Sequence, residues 1–401
     1  MLMVLLITTS CSKNESDFEP NANAEVQQSL QTMLDQILTD YKAKYPDYPG
    51  GMALKVVAKK GSFFVSSGMD AGITEKIHFR AASNTKTFTS TAILLLAQQG
   101  KLNVNAKITD LIPGTQSTYV PLTPDYQIPF RDSITISQLL HHRAGVFDVS
   151  NDKIPDTISV QVPYKGLDYI PYIEEQDPTH TFTFDEMVGV AATCRLFYFA
   201  PGASYHYSNT GYSILGKIIE RVSGQSYQQF VMEHIVQPMG LTNTTFPYLG
   251  TELQIPSPFA RGYVYMYDTL VETTESNISA NVAEGNMITT PEDLSKFLRA
   301  LIQGNGVLLP YWVNNVMLAP PAGSTPGSWY GCGINHALNL GYGHNGAHEG
   351  YLSRMVTDPE VDFTAVVFTN AWNMTNGMAS IADQLYFLLD ESCYRAKVIV
   401  Q

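Results

Sequence analysis

A serine hydroxyl can open a carbonyl when a neighbouring base removes its proton. Ser83-Asn-Thr-Lys86 places a hydroxyl and an amine three residues apart at the start of an apolar run. On a helix, positions i and i+3 share a face, so Lys86 is expected one turn above Ser83. Phe88, Ala92, Leu95 and Leu96 recur at helical spacing, which predicts a helix packed inside the protein. A lysine in such a setting loses part of its preference for the charged form and can take the serine proton. Ser-x-x-Lys is short enough to arise by chance, and Ser10 to Lys13 is a second copy. A catalytic reading of Ser83 therefore needs companions. Tyr207-Ser-Asn209 is the only Tyr-x-Asn in the chain, and two late His-x-Gly sites follow, His344-Asn-Gly346 and His348-Glu-Gly350. The run Gly341-x-Gly343-x-x-Gly346 also spells a dinucleotide fingerprint, but no strand-to-helix context surrounds it and it is set aside.

Ser-x-x-Lys, Tyr-x-Asn and a late His-x-Gly, in that order, resemble the penicillin-recognising serine hydrolases. The branch with class C β-lactamases, D-alanyl-D-alanine carboxypeptidases and related esterases and D-aminopeptidases is the most similar. Flanking segments extend the likeness: Gly100-Lys-Leu-Asn-Val-Asn after the first motif, Leu139-Leu-His-His142-Arg-Ala-Gly145, Pro201 through Gly240, and Glu284-Gly285 through Ala300. The resemblance implies that Ser83 is acylated, that Lys86 and Tyr207 share the base work, and that Asn209 holds Lys86 and the substrate amide. It also implies an oxyanion hole from the backbone N–H groups of Ser83 and Ala347. Gly343 ahead and Gly350-Tyr351 behind favour His344 over His348 as the start of the third motif. Histidine there carries less charge at neutral pH than the lysine usual in class C β-lactamases. This points to a peptidase or esterase, with a class C-like β-lactamase as the alternative. A non-catalytic penicillin-recognising sensor is the rival from another class, and the complete motif set weighs against it. The substrate is expected to be a small peptide, ester or β-lactam, with no cofactor. His141 and His142 invite a metal reading, but no third ligand is near in sequence, and the resemblance gives His142 a structural role.

The 401 residues are 44% hydrophobic and 15% charged, enough for a large core in one or two interleaved domains. A net charge of -13 argues against nucleic acid, which needs a basic footprint. Met1 to Cys11 is a short apolar run ending in small residues and a cysteine, too short to span a bilayer. It resembles a bacterial lipoprotein signal with Cys11 as the lipidated residue, although no Lys or Arg precedes the run. Export to the cell envelope follows, with membrane attachment only through that anchor. Cys194, Cys332 and Cys393 remain, so one disulfide with a free thiol and three buried thiols both fit.

The elements around the motifs suggest how they are positioned. Val26 to Tyr41 reads as an amphipathic helix, and Met52 to Val57 with Phe63 to Ser67 as a hairpin turning at Lys59-Lys60-Gly61. The Ser83 helix stops at Gly100. Strand signals thin out from Lys101 to about Ala280, where helical runs include Tyr212 to Val222 and Tyr227 to Val236. Thr290-Pro291-Glu292-Asp293 opens a further helix that Gly304 closes. Leu352 to Thr357 and Phe363 to Phe368 read as strands, and Met378 to Leu389 as a helix. Strands at both chain ends with helices between predict an α+β fold: an antiparallel sheet flanked by helices, with a mainly helical insertion. The expected division is 1–24 signal and tether, 25–100 with 281–401 as a discontinuous α/β domain, and 101–280 as the inserted domain. Between Gly145 and Phe182 a Tyr-rich excursion is either a surface loop or a rim of the cleft.

Overall fold

The computed structural model describes residues 20–266 and 269–401. Cys11 lies outside the described residues. Seven strands form one antiparallel sheet: β1 Met52–Ala58, β2 Gly61–Ser67, β3 Ser328–Tyr330, β4 Asn335–Ala337, β5 Gly341–His348, β6 Tyr351–Asp358 and β7 Phe363–Thr369. Their spatial order is β2-β1-β7-β6-β5-β4-β3, so a hairpin from early in the chain is completed by five strands from its last quarter. The helices used below are α1 Pro20–Lys44, α2 Thr85–Gln98, α3 Asn209–Ser223, α4 Pro291–Ile302 and α5 Glu391–Val400.

Side chains of successive strand residues point to opposite faces, and here both faces are buried. Leu54, Val56, Leu352, Val356, Ala365 and Val367 pack with Leu34, Leu38 and Tyr41 of α1 and with Cys393 and Ala396 of α5. Ala53, Met355, Val366 and Phe368 point the other way, into a core shared with α2, α3 and α4. Cover on both sides explains why β6 and β7 read as continuous apolar runs instead of alternating ones.

Local chemistry sets the helix ends. The Thr290 side chain accepts from the Asp293 backbone N–H, Pro291 occupies the first turn, and Gly304 leaves the helix with φ 73°. Ser208 caps α3 in the same way, through the Gly211 N–H, which places Tyr207 and Asn209 on either side of a cap. Gly100 adopts φ 72° after α2.

The region 101–280, expected to be mainly helical, also carries a short hairpin, Tyr263–Met266 paired with Thr269–Glu272, and Ala371–Asn373 pairs in parallel with its first strand. The two strands of the hairpin are short and partly exposed, so they have little apolar pattern; backbone pairing with a distant segment joins them to the fold. The C-terminal helix also runs on past Leu389, through a wider turn at Leu385–Asp390 into α5. Cys194, Cys332 and Cys393 are all buried and free.

Phe88 ties the nucleophile helix to α4: its ring stacks on Phe297 with centroids 3.6 Å apart and meets Phe246 edge-on at 5.5 Å. Phe88→Ala should therefore lower unfolding free energy by about 3–5 kcal/mol, read by chemical denaturation.

Candidate active site

Ser83 does not sit on the α-helix itself. It is the middle residue of a 3-10 turn, Ala82–Asn84, and α2 begins at Thr85. Ala82 adopts φ 48°, an uncommon backbone conformation for a residue with a Cβ. The turn is clamped from both sides. Ala81 N–H donates to the Met287 carbonyl at 3.0 Å, and the buried Asn84 amide donates to the Ala81 carbonyl at 2.7 Å and to Ser353 Oγ of β6 at 2.8 Å. Arg80, 1% exposed, donates to the carbonyls of Leu253 and Thr274 behind it. Ser83 itself stays partly exposed.

Lys86 lies in the first turn of α2 with its side chain fully buried. Its Nζ is 3.2 Å from Ser83 Oγ, 2.7 Å from Asn209 Oδ1, 2.8 Å from the Glu284 carbonyl and 3.1 Å from Glu284 Oε2. Burial lowers its pKa, and the Glu284 carboxylate opposes that shift. Tyr207 faces Ser83, and its ring lies 4.7 Å from Lys86 Nζ. Burial raises the Tyr207 pKa well above its ordinary value, with the Ser83 hydroxyl opposing that shift. One low-dielectric site thus moves both groups toward their neutral forms.

The third motif runs along β5, whose residues 344–348 pass beyond the end of β4 and lie against the nucleophile turn. Gly346 pairs with Ser353, and a Cβ there would stand 2.1 Å from the Ala81 carbonyl oxygen. Only glycine permits this approach, which brings Ala347, paired with Leu352 and exposed, beside Ser83. His344 is 4% exposed; its Nδ1 bonds the Asn345 carbonyl at 2.6 Å and its Nε2 the Tyr330 hydroxyl at 2.8 Å. Burial lowers its pKa to about 3, so the ring is neutral. His348 is also driven to about 3 by burial. His142, at φ 55°, accepts the Ser208 N–H on Nδ1 at 3.1 Å and lies beside Tyr207 with ring centroids 4.2 Å apart.

Ser83, Lys86, Tyr207, Asn209 and Gly346 therefore converge with Ala347 on one spot, and His344 stands behind Tyr330 at its edge. Three neighbours were not singled out from sequence. Glu284 touches Lys86 twice. Tyr330 occupies His344. Asp148 lies near Asn209, and burial raises it to about 6. None carries a motif; Glu284 and Asp148 come from segments far along the chain from the residues they touch, and Tyr330 from a neighbouring part of the sheet. In the excursion after Gly145, Glu174 is raised to about 7 by burial and by the charge of Glu349, two residues past Ala347.

A serine beside a buried lysine on this sheet-and-helix fold is the arrangement that acyl transfer through a serine requires. The Beta-lactamase family model matches residues 47–386, and the chain belongs to that family. Protein flp of Staphylococcus aureus (strain MW2) is 24% identical over 367 residues, covering 85% of this chain and 63% of its own length. The chain thus spans about 63% of the length of such relatives. A putative penicillin-binding protein, PbpX of Bacillus subtilis (strain 168), is 25% identical over 78% of this chain and 67% of its own. Among solved structures, a D-stereospecific amidohydrolase from Streptomyces sp. superposes with TM-score 0.70 at 25% identity, covering 89% of this chain and 98% of that one. The D-amino acid amidase of Ochrobactrum anthropi SV3 does so with TM-score 0.70 at 24% identity, over 93% and 98%.

Gly346→Ala should push β5 off the nucleophile turn and slow acylation of Ser83 by roughly 100-fold, the cost of a misplacement near 1 Å. Labelling kinetics with an active-site probe, compared with a thermal melt of the same variant, would show whether the loss is local.

Proposed function

We propose that the protein hydrolyses amide or ester bonds through a covalent acyl-enzyme on Ser83. The observation that carries this is the buried Lys86 Nζ at 3.2 Å from Ser83 Oγ, in a site that lowers the lysine pKa. Ser83 Oγ attacks the carbonyl and Lys86 receives its proton. Tyr207, kept protonated by burial, is placed to protonate the leaving group. Asn209 holds Lys86, and the Ser83 and Ala347 N–H groups receive the oxyanion; losing one such donor typically costs ~3 kcal/mol of transition-state stabilisation.

The third motif supports a substrate class. With both ring nitrogens occupied and the ring neutral, His344 presents no charge to a substrate carboxylate. An amide or ester with an uncharged leaving side suits such a site better than one that depends on a cation. The likeness to a D-stereospecific amidohydrolase favours D-configured amides and peptides among these. A peptidase acting on D-configured amides or an esterase is the reading adopted; a D-alanyl-D-alanine carboxypeptidase, whose leaving residue carries a carboxylate, fits His344 less well, and a class C-like β-lactamase is the second reading. The excursion through Glu174 is proposed to rim the leaving-group side. We further propose export with a lipid anchor at Cys11, on the apolar run that precedes it.

A fluorophosphonate or β-lactam should add one adduct to the intact mass, mapping to Ser83 and missing in Ser83→Ala; a mass unchanged by every probe would refute the assignment. Parallel kinetics on a D-amino acid amide, a D-alanyl-D-alanine peptide, a p-nitrophenyl ester and nitrocefin should rank nitrocefin last. Labelled palmitate should be incorporated by cells expressing the protein and lost in Cys11→Ser.

A further inference from the structure

We propose that Glu284 and Lys86 act as one proton-holding pair, so that Ser83 is activated by the pair and not by the lysine alone. This rests on Ser83 being the nucleophile. The segment that carries Glu284 is held against the nucleophile strand: Phe79 pairs with Thr289, Arg80 with Ile288, and Met287 N–H donates to Thr85 Oγ1 at 3.1 Å. Its carboxylate is 3% exposed, with Oε2 at 3.1 Å from Lys86 Nζ and Oε1 accepting from Asn281 Nδ2 at 2.6 Å.

Hydrogen-bond satisfaction alone does not call for this carboxylate. An ammonium has three donors, and Ser83 Oγ, Asn209 Oδ1 and the Glu284 carbonyl already supply three acceptors. A buried ion pair is also weak evidence for stability, because desolvation offsets its attraction. What the carboxylate adds is a second place for a proton.

The proton count closes as follows. With Nζ triply protonated and Glu284 ionised, moving one proton from Nζ to Oε2 leaves a neutral amine and a carboxylic acid. Both partners are buried, and desolvation penalises a buried pair of charges. The amine lone pair takes the Ser83 proton as the Oγ–C bond forms and the carbonyl π bond opens to the oxyanion. The ammonium then gives that proton, by way of Tyr207, to the leaving nitrogen or oxygen as its bond to carbon breaks. The pair ends with the number of protons it began with, and water retraces the path in deacylation.

Other titratable groups face the pair. Asp148 lies beside Asn209 and is raised to about 6 by burial, while Tyr207 and Tyr227 are raised and His142 and His344 are held neutral. Asp148→Asn therefore accompanies the test. The rate of fluorophosphonate acylation at Ser83 and kcat/KM for a p-nitrophenyl ester are measured against pH for the full-length wild type, Glu284→Gln, Glu284→Asp and Asp148→Asn. Without Glu284 the acid limb must report a lone lysine, so in Glu284→Gln it should move to higher pH. The rate should fall roughly 100-fold near pH 7 and recover in alkali with KM little changed. Glu284→Asp should keep the limb near the wild-type position, and Asp148→Asn should not reproduce the upward move.

An unmoved limb, or one moved to lower pH because the lysine has lost the carboxylate that held its proton, overturns the proposal. So does an Asp148→Asn profile matching that of Glu284→Gln. If Glu284→Gln fails to fold by circular dichroism, Glu284→Ala is measured in its place and read the same way: an acid limb moved to higher pH supports the pair, and an unmoved or lowered limb overturns it. Failure of any probe to acylate wild-type Ser83 would instead sink the hydrolase reading itself.

Discussion

One amine has been taken wholly out of water, and much of the site follows from the cost of that. Moving a charged lysine into the interior is penalised by several kcal/mol unless polar partners replace its hydration. Lys86 finds them on three separate parts of the chain: Ser83 one turn away, Asn209 at the start of α3, and Glu284 on the segment leading to α4. Ser83 is held by the 3-10 turn, Asn209 by the Ser208 cap and Glu284 by the short strand pairing that follows it. The same burial keeps the Tyr207 phenol protonated. A poised amine and a poised phenol beside one serine are thus two results of a single desolvated site.

Holding Ser83 in reach has a conformational cost as well. Ala82 at φ 48° stores strain of about 1–3 kcal/mol. Asn84, with its two buried hydrogen bonds, and the Ala81 pairing with Met287 hold the turn against that strain. From the far side β5 closes in so tightly that a methyl group at position 346 would meet the Ala81 carbonyl. Gly333 is confined in the same manner, with room for a Cβ taken by Ser90 Oγ and the Lys86 carbonyl. Backbone contact, more than side-chain packing, joins the sheet to the nucleophile turn.

The rim is built from other parts of the chain. Tyr330 engages His344, which burial leaves without charge, and Glu174 of the excursion after Gly145 feels the charge of Glu349 at the end of the third motif. These residues differ in kind from the Ser83 cluster: they sit in loops and edge strands, where relatives of one fold can vary without disturbing the core.

Much of this was legible in the chain. The apolar spacing after Ser83, the caps at Thr290 and Gly304, the hairpin at Lys59-Lys60 and the runs of β6 and β7 are local patterns, and local sterics and burial are enough to specify them. Ser83, Lys86, Tyr207, Asn209 and His344 were readable because their spacing within each motif is a local property too. The 3-10 turn under Ser83, the exposed strands at Tyr263–Met266 and Thr269–Glu272, and the glycine-rich β5 were not, since distant backbone pairing decides them. Glu284 is the sharpest case. As a sequence letter it is an ordinary acid before a glycine; its role beside Lys86, 198 residues away, exists only because two short strands align and exclude water. Sequence by itself determined which groups can do chemistry and the helices and strands that carry them. The tertiary structure decided their dielectric and their partners, because both depend on which remote segments are packed against them.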